Sequence, residues 1–220
     1  MSHAPIPLVL IGAGGHAKVV LALAQAAGFA VVGVCDPALA GSGATHWRGI
    51  PVLGDDAALA RFTPGEIGLA NGIGQVPGST QRQQLFERLA AQGHRFPPLA
   101  HPRACIDASS TLREGAQVMA GAVVQADCVI GANSLVNSAA SVDHDCLIGA
   151  HVHIAPGAVL CGGVQVGEGA FIGAGATVLP AVRIGPRALV AAAAVLARHL
   201  AAGAAHLPHR QPHRHQEPQA

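Results

Sequence analysis

From Ile106 to Leu196 every sixth residue is Ile, Leu or Val: 106, 112, 118 and so on through 190 and 196, without a miss. Four residues after each of them, from Ser110 to Ala194, stands a residue no larger than valine. A period of six fits neither the 3.6 of a helix nor the two of a simple strand. It predicts a hexapeptide β-helix, with one short strand and one tight turn per six residues and three such units per coil of eighteen. The aliphatic points inward, the small residue fits the corner, and coils stack at the strand spacing of ~4.8 Å. Fifteen hexapeptides over 106–195 make five coils. Parallel strands are normally joined by right-handed connections, and nothing in the spacing itself sets the hand.

The first hundred residues follow other patterns. Leu8 to Ile11 reads as a buried strand, Lys18 to Ala27 as a helix after a glycine turn, Ala30 to Cys35 as a second strand and Ile67 to Ala70 as a third. Ser79 to Ala91 predicts an amphipathic helix, with Thr80 and Gln83 at capping-box spacing. Strand, glycine turn, helix and strand predict a small parallel α/β unit, half of a dinucleotide fold. The chain thus divides into an α/β domain over 1–100, a β-helix over 101–200, and a His/Pro-rich tail over 201–220 expected to be disordered. Phe96-Pro97-Pro98 and His101-Pro102 are the expected hinge.

Composition narrows the functional classes. A net charge of +1, 3% aromatic residues and no tyrosine offer neither a basic footprint nor stacking platforms for nucleic acid. The mean hydropathy of +0.41 raises the question of a membrane, yet the longest apolar run, Ala188 to Ala197, is half the length of a span. No basic, apolar leader opens the sequence, so a cytoplasmic protein is expected. Five cysteines, with no C-x-x-C pair, fit reduced thiols, and Cys128 and Cys146, eighteen apart, should stack inside the coil.

Two constellations carry chemistry. Gly12-x-Gly14-x-x-Ala17, with Asp36 beyond it, is a loose dinucleotide fingerprint. Its glycines admit a diphosphate to the amides of a helix N-terminus, with His16 in the first turn as a further donor. The second is Asn137, Asp143-His144-Asp145 and His151-Val152-His153. His144 lies two residues past a core aliphatic, at a turn, and one coil later at that place stands Gly162. Bare backbone above an imidazole leaves room for a reacting carbonyl and an N–H for its oxyanion. Flanking aspartates that fix the tautomer suit His144 to be a general base. A zinc site of His144, His151 and His153 is the rival reading. No metal is expected.

Together these residues resemble the sialic-acid O-acetyltransferase and nucleotide-amino-sugar N-acetyltransferase family of left-handed β-helix acyltransferases. The resemblance rests on Gly12-Ala13-Gly14-Gly15-His16-Ala17, Asp36, Asn71-Gly72, His101-Pro102-Arg103-Ala104, Asn137 and Asp143-His144-Asp145-Cys146, besides the hexapeptides. It implies that the 1–100 domain binds a nucleotide sugar, with Gly14, Gly15 and His16 at the phosphate and Asp36 and Gly72 at the base or ribose. Asn137 is counted with the acceptor side of the site. It implies acetyl-CoA as donor, lying between two subunits of a homotrimer, with His144 as base, Asp145 as the adjacent acid and His153 contacting the donor. Ala174 and Ala192 line the pantetheine groove through their backbones. The family's usual ending is replaced here by His206-Leu207-Pro208-His209-Arg210. The expected activity is N-acetylation of a nucleotide-linked amino sugar. Alternatives are O-acetylation of sialic acid, a zinc lyase like the hexapeptide carbonic anhydrases, or a non-catalytic nucleotide-binding trimer.

Overall fold

The structure, a computed structural model, describes residues 5–63 and 65–207. Its first strand, Leu8–Ile11 (β1), is buried throughout, as befits an apolar run in a parallel sheet covered on both faces. There follow helix Gly15–Ala26 (α1), strand Val31–Cys35 (β2), short helix Pro37–Gly41 (α2), and strands His46–Trp47 (β3) and Ile50–Gly54 (β4). A 3₁₀ turn Asp56–Arg61, strand Gly68–Asn71 (β5) and helix Gln81–Ala91 (α3) complete the unit. The sheet order is β3-β4-β2-β1-β5, parallel except for β3 against β4.

Three strands of this sheet match the expected ones, shifted by a residue at most. β3 and β4 are additional. Pro51 and Gly54 break the apolar run of β4, so it does not read as the interior of a parallel sheet. The capping box is not formed: Thr80 makes no side-chain cap, and Gln83 instead donates to Glu87 Oε1 at 2.8 Å and Glu168 Oε1 at 3.3 Å. Two acidic acceptors draw the amide away from the helix end.

The solenoid is a three-sided prism of two-residue strands. Face I runs from Cys105–Ile106 to Val195–Leu196, face II from Thr111–Leu112 to Arg183–Ile184, and face III from Leu99–Ala100 to Ala205–His206. Pairing is parallel at an offset of eighteen, as where Ser141 meets Val159 and Val142 meets Leu160. The second residue of each strand points inward, and from Val118 on every one is buried through Leu196. The corner residues, Ala116 to Ala194 at steps of six, are buried with them.

Every corner from 115 to 193 also places one residue at φ between 54° and 71°. Glycine fills six of these sites. Asp127, Asn133, Asp145 and His151 belong to the types that tolerate the left-handed region best. Ala139, Ala181, Arg187 and Ala193 are held there by the stacking alone.

The expected hinge is a rigid junction. Phe96 is fully buried, its N–H donates to Glu114 Oε1 at 3.0 Å, and its carbonyl accepts from Gly115 at 2.6 Å. The next residues, Leu99–Ala100, already form the first rung of face III on Gln117–Val118. The far end also runs on: Leu189 pairs with Ala205, sixteen residues later instead of eighteen, so 201–207 add part of a coil. The rest of the expected tail, 208–220, lies outside the described residues.

Ala181 is exposed, so replacing it by glycine removes the left-handed penalty without losing packing. The penalty is roughly 1–2 kcal/mol, against which glycine loses roughly 0.5–1 kcal/mol of unfolded-state entropy. Ala181→Gly should therefore stabilise by up to about 1 kcal/mol in urea denaturation. A destabilised variant would contradict the corner geometry.

Candidate functional site

The stacking carries His144 directly beneath Gly162. A Cβ built on Gly162 would lie 2.6 Å from both Cε1 and Nε2 of the His144 ring, so only glycine fits above it. The Gly163 N–H donates to the His144 carbonyl at 2.8 Å, while the Gly162 N–H has no acceptor among the described residues. His144 Nδ1–H donates to Asp145 Oδ2 at 2.7 Å, and Asp143 Oδ1 accepts from the His144 amide at 2.9 Å. Nε2 is thereby left with its lone pair on a ring whose side chain is 60% exposed. The bond to Asp145, then the charge of Asp143, hold the imidazole above its ordinary value of 6.5. The notch expected from the eighteen-residue spacing is present, with the imidazole and the free amide on one side of the prism.

The glycine turn divides by role. Gly12 has φ 94° and a Cβ there would strike Ile73 at 2.8 Å, so its glycine serves the fold. Gly14 and Gly15 are exposed, and a Cβ at either would meet nothing within 4 Å. Their missing side chains leave open room at the N-terminus of α1, which has no acidic residue in its first turn and no side-chain cap. Free amides with the positive end of the helix dipole make an anion seat.

Three of the expected residues also have partners within the protein. His16 Nε2 lies 3.3 Å from Gln117 Oε1, and Gln117 Nε2–H donates to the Asn71 carbonyl at 3.0 Å. The amide is thus oriented, His16 is the donor to Gln117, and burial depresses it to about 4, so the neutral ring presents only an accepting Nδ1 elsewhere. Asp36 accepts from Ala13 N at 2.9 Å, Ala38 N at 2.9 Å and Leu39 N at 3.0 Å, tying the glycine turn to α2. One acceptor direction of its carboxylate is left for a ligand. Gly72 is buried, its Cα hydrogen facing Ile11 O and Ala17, so the exposed part of that loop is Gly74 and its neighbours.

Asn137 lies on the corner between faces III and I, beside His153. Its Oδ1 accepts from Ser138 N at 2.8 Å, which aims Nδ2 at His153 Nε2, 3.4 Å away. His153 is buried, stacked at 4.7 Å on Phe171, and depressed to about 4 chiefly by burial. Ala174 and Ala192 are exposed on this same III–I corner, one coil apart. His144 occupies the I–II corner, opposite face III. One protomer therefore carries the two halves of the expected site on different sides.

Within one protomer His144, His151 and His153 do not converge on a common point. Among the described residues the metal-capable group within reach of one another is Glu87, His151 and Glu168, without His144 or His153. Even there, Asn133 Nδ2–H donates to His151 Nδ1 at 3.0 Å, which leaves the ring proton on Nε2, facing Glu87. A ligating histidine normally donates from its second nitrogen instead. Cys128 and Cys146 stack inside the coil, donating to Asp143 O at 3.0 Å and Cys161 O at 3.3 Å. Burial pushes the Cys146 thiol up to about 12, and all five thiols are free. Among the described residues no helix is long and apolar enough to cross a membrane.

Sequence reasoning missed a polar seam where the α/β unit docks on face III: Asn71, Arg82, Gln117 and Asn133, all buried. Arg82 shares a helical stripe with Phe86 and Leu89, and a cation on an apolar stripe is the signal that exposes it.

The PglD N-terminal domain family matches residues 7–89, and the bacterial transferase hexapeptide (six repeats) matches 127–162, 145–180 and 163–198. A histidine-to-asparagine mutant of perosamine N-acetyltransferase from Caulobacter crescentus, in complex with CoA and GDP-perosamine, is 37% identical with a TM-score of 0.81, over 93% of this chain and 95% of that one. The acetyltransferase domain of PglB from Neisseria gonorrhoeae FA1090, in complex with acetyl coenzyme A, is 37% identical with a TM-score of 0.82, over 90% and 94%. WeeI from Acinetobacter baumannii AYE is 25% identical with a TM-score of 0.78, over 91% and 96%. A comparison with curated proteins found no match.

With Asp145 as the partner that raises it, His144 should titrate above 6.5 by NMR, and Asp145→Asn should move it down toward that value. An unchanged titration would separate the two residues.

Proposed function

The chain belongs to the nucleotide-amino-sugar and sialic-acid acetyltransferase family of left-handed hexapeptide β-helices, and from that membership we propose that it N-acetylates a nucleotide-linked amino sugar, with His144 as general base. It is an acetyl-CoA-dependent sugar acetyltransferase. The observation that carries the finer reading is the pairing of His144 with an unclothed Gly162 amide. The open helix N-terminus at Gly14 and Gly15 favours an acceptor bearing a diphosphate over free sialic acid.

The acceptor nitrogen attacks the thioester carbonyl and forms the new C–N bond. His144 Nε2 takes one proton from that nitrogen, and Asp145 stabilises the resulting imidazolium. The Gly162 N–H donates to the oxyanion of the tetrahedral intermediate. Collapse breaks the C–S bond, and the sulfur takes the proton from His144 and leaves as the thiol of CoA. The transfer is written without an acyl-enzyme: Cys146, two residues from His144, is buried inside the coil with its thiol pushed up to about 12.

The opposed placement of His144 and the Asn137–His153 corner supports a site completed by a second copy, within a homotrimer. Exposed Leu147 on face II and Val159 on face I are outward apolar side chains suited to that contact.

His144→Ala should lower kcat by about 10²–10⁴-fold with the fold intact. Gly162→Ala, which displaces the ring and crowds the amide, should lower it by about 10²-fold or more. Near wild-type turnover by His144→Ala would eliminate the assignment. A thiol-release screen should find nucleotide-linked amino sugars acetylated in preference to free sialic acid. Co-expressing His144→Ala with His153→Ala chains should restore activity that neither variant has alone. No restoration would argue for a site within one protomer.

A further inference from the structure

Arg82 is the most deeply buried cation among the described residues, at 1% exposure, and it has no acidic partner there. Only Nη1 is used, donating to the Asn71 carbonyl at 3.1 Å and the Ile73 carbonyl at 2.8 Å. Nε and Nη2 find no partner. A strut for two carbonyls needs one N–H group and no charge. Burying an unpaired guanidinium is unfavourable, and proteins tolerate such a group where something else answers the charge.

The surroundings say where that answer lies. The two carbonyls belong to the last residue of β5 and the loop after it, which packs on the glycine turn: Ile73 lies against Gly12, and Gly74 against His16. Asn71 O also receives Gln117, which in turn holds His16 in the first turn of α1. The buried charge therefore stands behind the open helix N-terminus of Gly14 and Gly15. Its influence reaches His16, His153 and His151, each disfavoured from protonating by Arg82 in addition to burial.

We propose that Arg82 is a positioning residue for the diphosphate of the acceptor, fixing the floor of the glycine turn through Asn71 and Ile73 and supplying a buried countercharge without touching the ligand. The inference rests on the nucleotide-linked reading of the substrate and adds the residue that makes the seat selective for anions. Recognition of the phosphates then depends on charge, whereas recognition of the nucleoside does not.

The test uses calorimetric binding of GDP, UDP, guanosine, uridine and inorganic pyrophosphate to the full-length protein. Arg82→Gln keeps a donor for the loop carbonyls and removes the charge. It should weaken the binding of the diphosphates by about tenfold while leaving the nucleosides within about twofold, and kcat at saturation should hold. Arg82→Lys should restore most of the affinity. Equal weakening of nucleoside and diphosphate, or no change in either, overturns the proposal. Should Arg82→Gln not fold, Arg82→Lys carries the test alone. Its diphosphate affinity should fall at lower pH than that of the wild type, because a buried ammonium gives up its proton before the guanidinium, itself lowered by burial to about 9. Parallel pH profiles overturn the proposal. Failure of the wild-type protein to bind any anion overturns both this inference and the acceptor reading, whereas binding without discrimination by the variants overturns the inference alone.

Discussion

The parallel ladder at an offset of eighteen residues is the constraint on which the rest depends. Once Val142 pairs with Leu160, the turn after one strand must sit under the turn after the next, and His144 comes to lie under Gly162. No loop has to find its place independently. The ladder also holds each corner residue at positive φ, so Asp145 both satisfies the corner and stands where its carboxylate reaches His144 Nδ1. Architecture and chemistry share the same residue. That double use explains how a motif so exposed is held in geometry: the backbone on either side is fixed by coils above and below.

The second constraint is the polar seam on face III. Each amide there has its orientation fixed by its neighbours. Asn71 Nδ2–H must donate to the Arg82 carbonyl, so it also donates to Asn133 Oδ1, and Asn133 Nδ2–H then turns to His151. Gln117 is fixed in the same way between Asn71 and His16. Networks of this kind specify one docking position, because a slip would strand several buried donors at once. They also settle which histidines are available. Burial keeps His16 and His153 neutral, with His16 bonded to Gln117 and His153 Nε2 to Asn137, and His151 spends its proton toward Glu87. His144 alone of these four is exposed, raised and open at Nε2.

Much of this was legible in the chain. The period of six fixed the core positions from Val118 to Leu196, and simple addition of eighteen placed Gly162 over His144. What the sequence withheld follows from how it encodes contacts. β4 is apolar but broken by Pro51, a residue that argues against a strand interior. The Phe96 junction resembles a hinge because prolines mark turns, and only the fold reveals that Phe86 lies 4.7 Å from Phe96, ring to ring. The roles of Asp36 and Gly72 depend on partners far along the chain, Ala13 for the one and Ile11 and Ala17 for the other. Asn137 shows the same limit: its neighbour in space is His153, one coil on, and no local pattern announces that pairing.

The central claim is that an imidazole and a bare amide one coil apart form the acyl-transfer notch. The most direct measurement is a crystal structure with a tetrahedral bisubstrate analogue joining CoA to an amino-sugar nucleotide. The account predicts the oxyanion-mimicking oxygen within hydrogen-bond distance of the Gly162 amide, and the reacting nitrogen facing Nε2 of His144. The remainder of the CoA should run along the Ala174–Ala192 corner of an adjoining copy. An analogue bound with its tetrahedral centre away from Gly162 would contradict the account, whatever the activity of the enzyme.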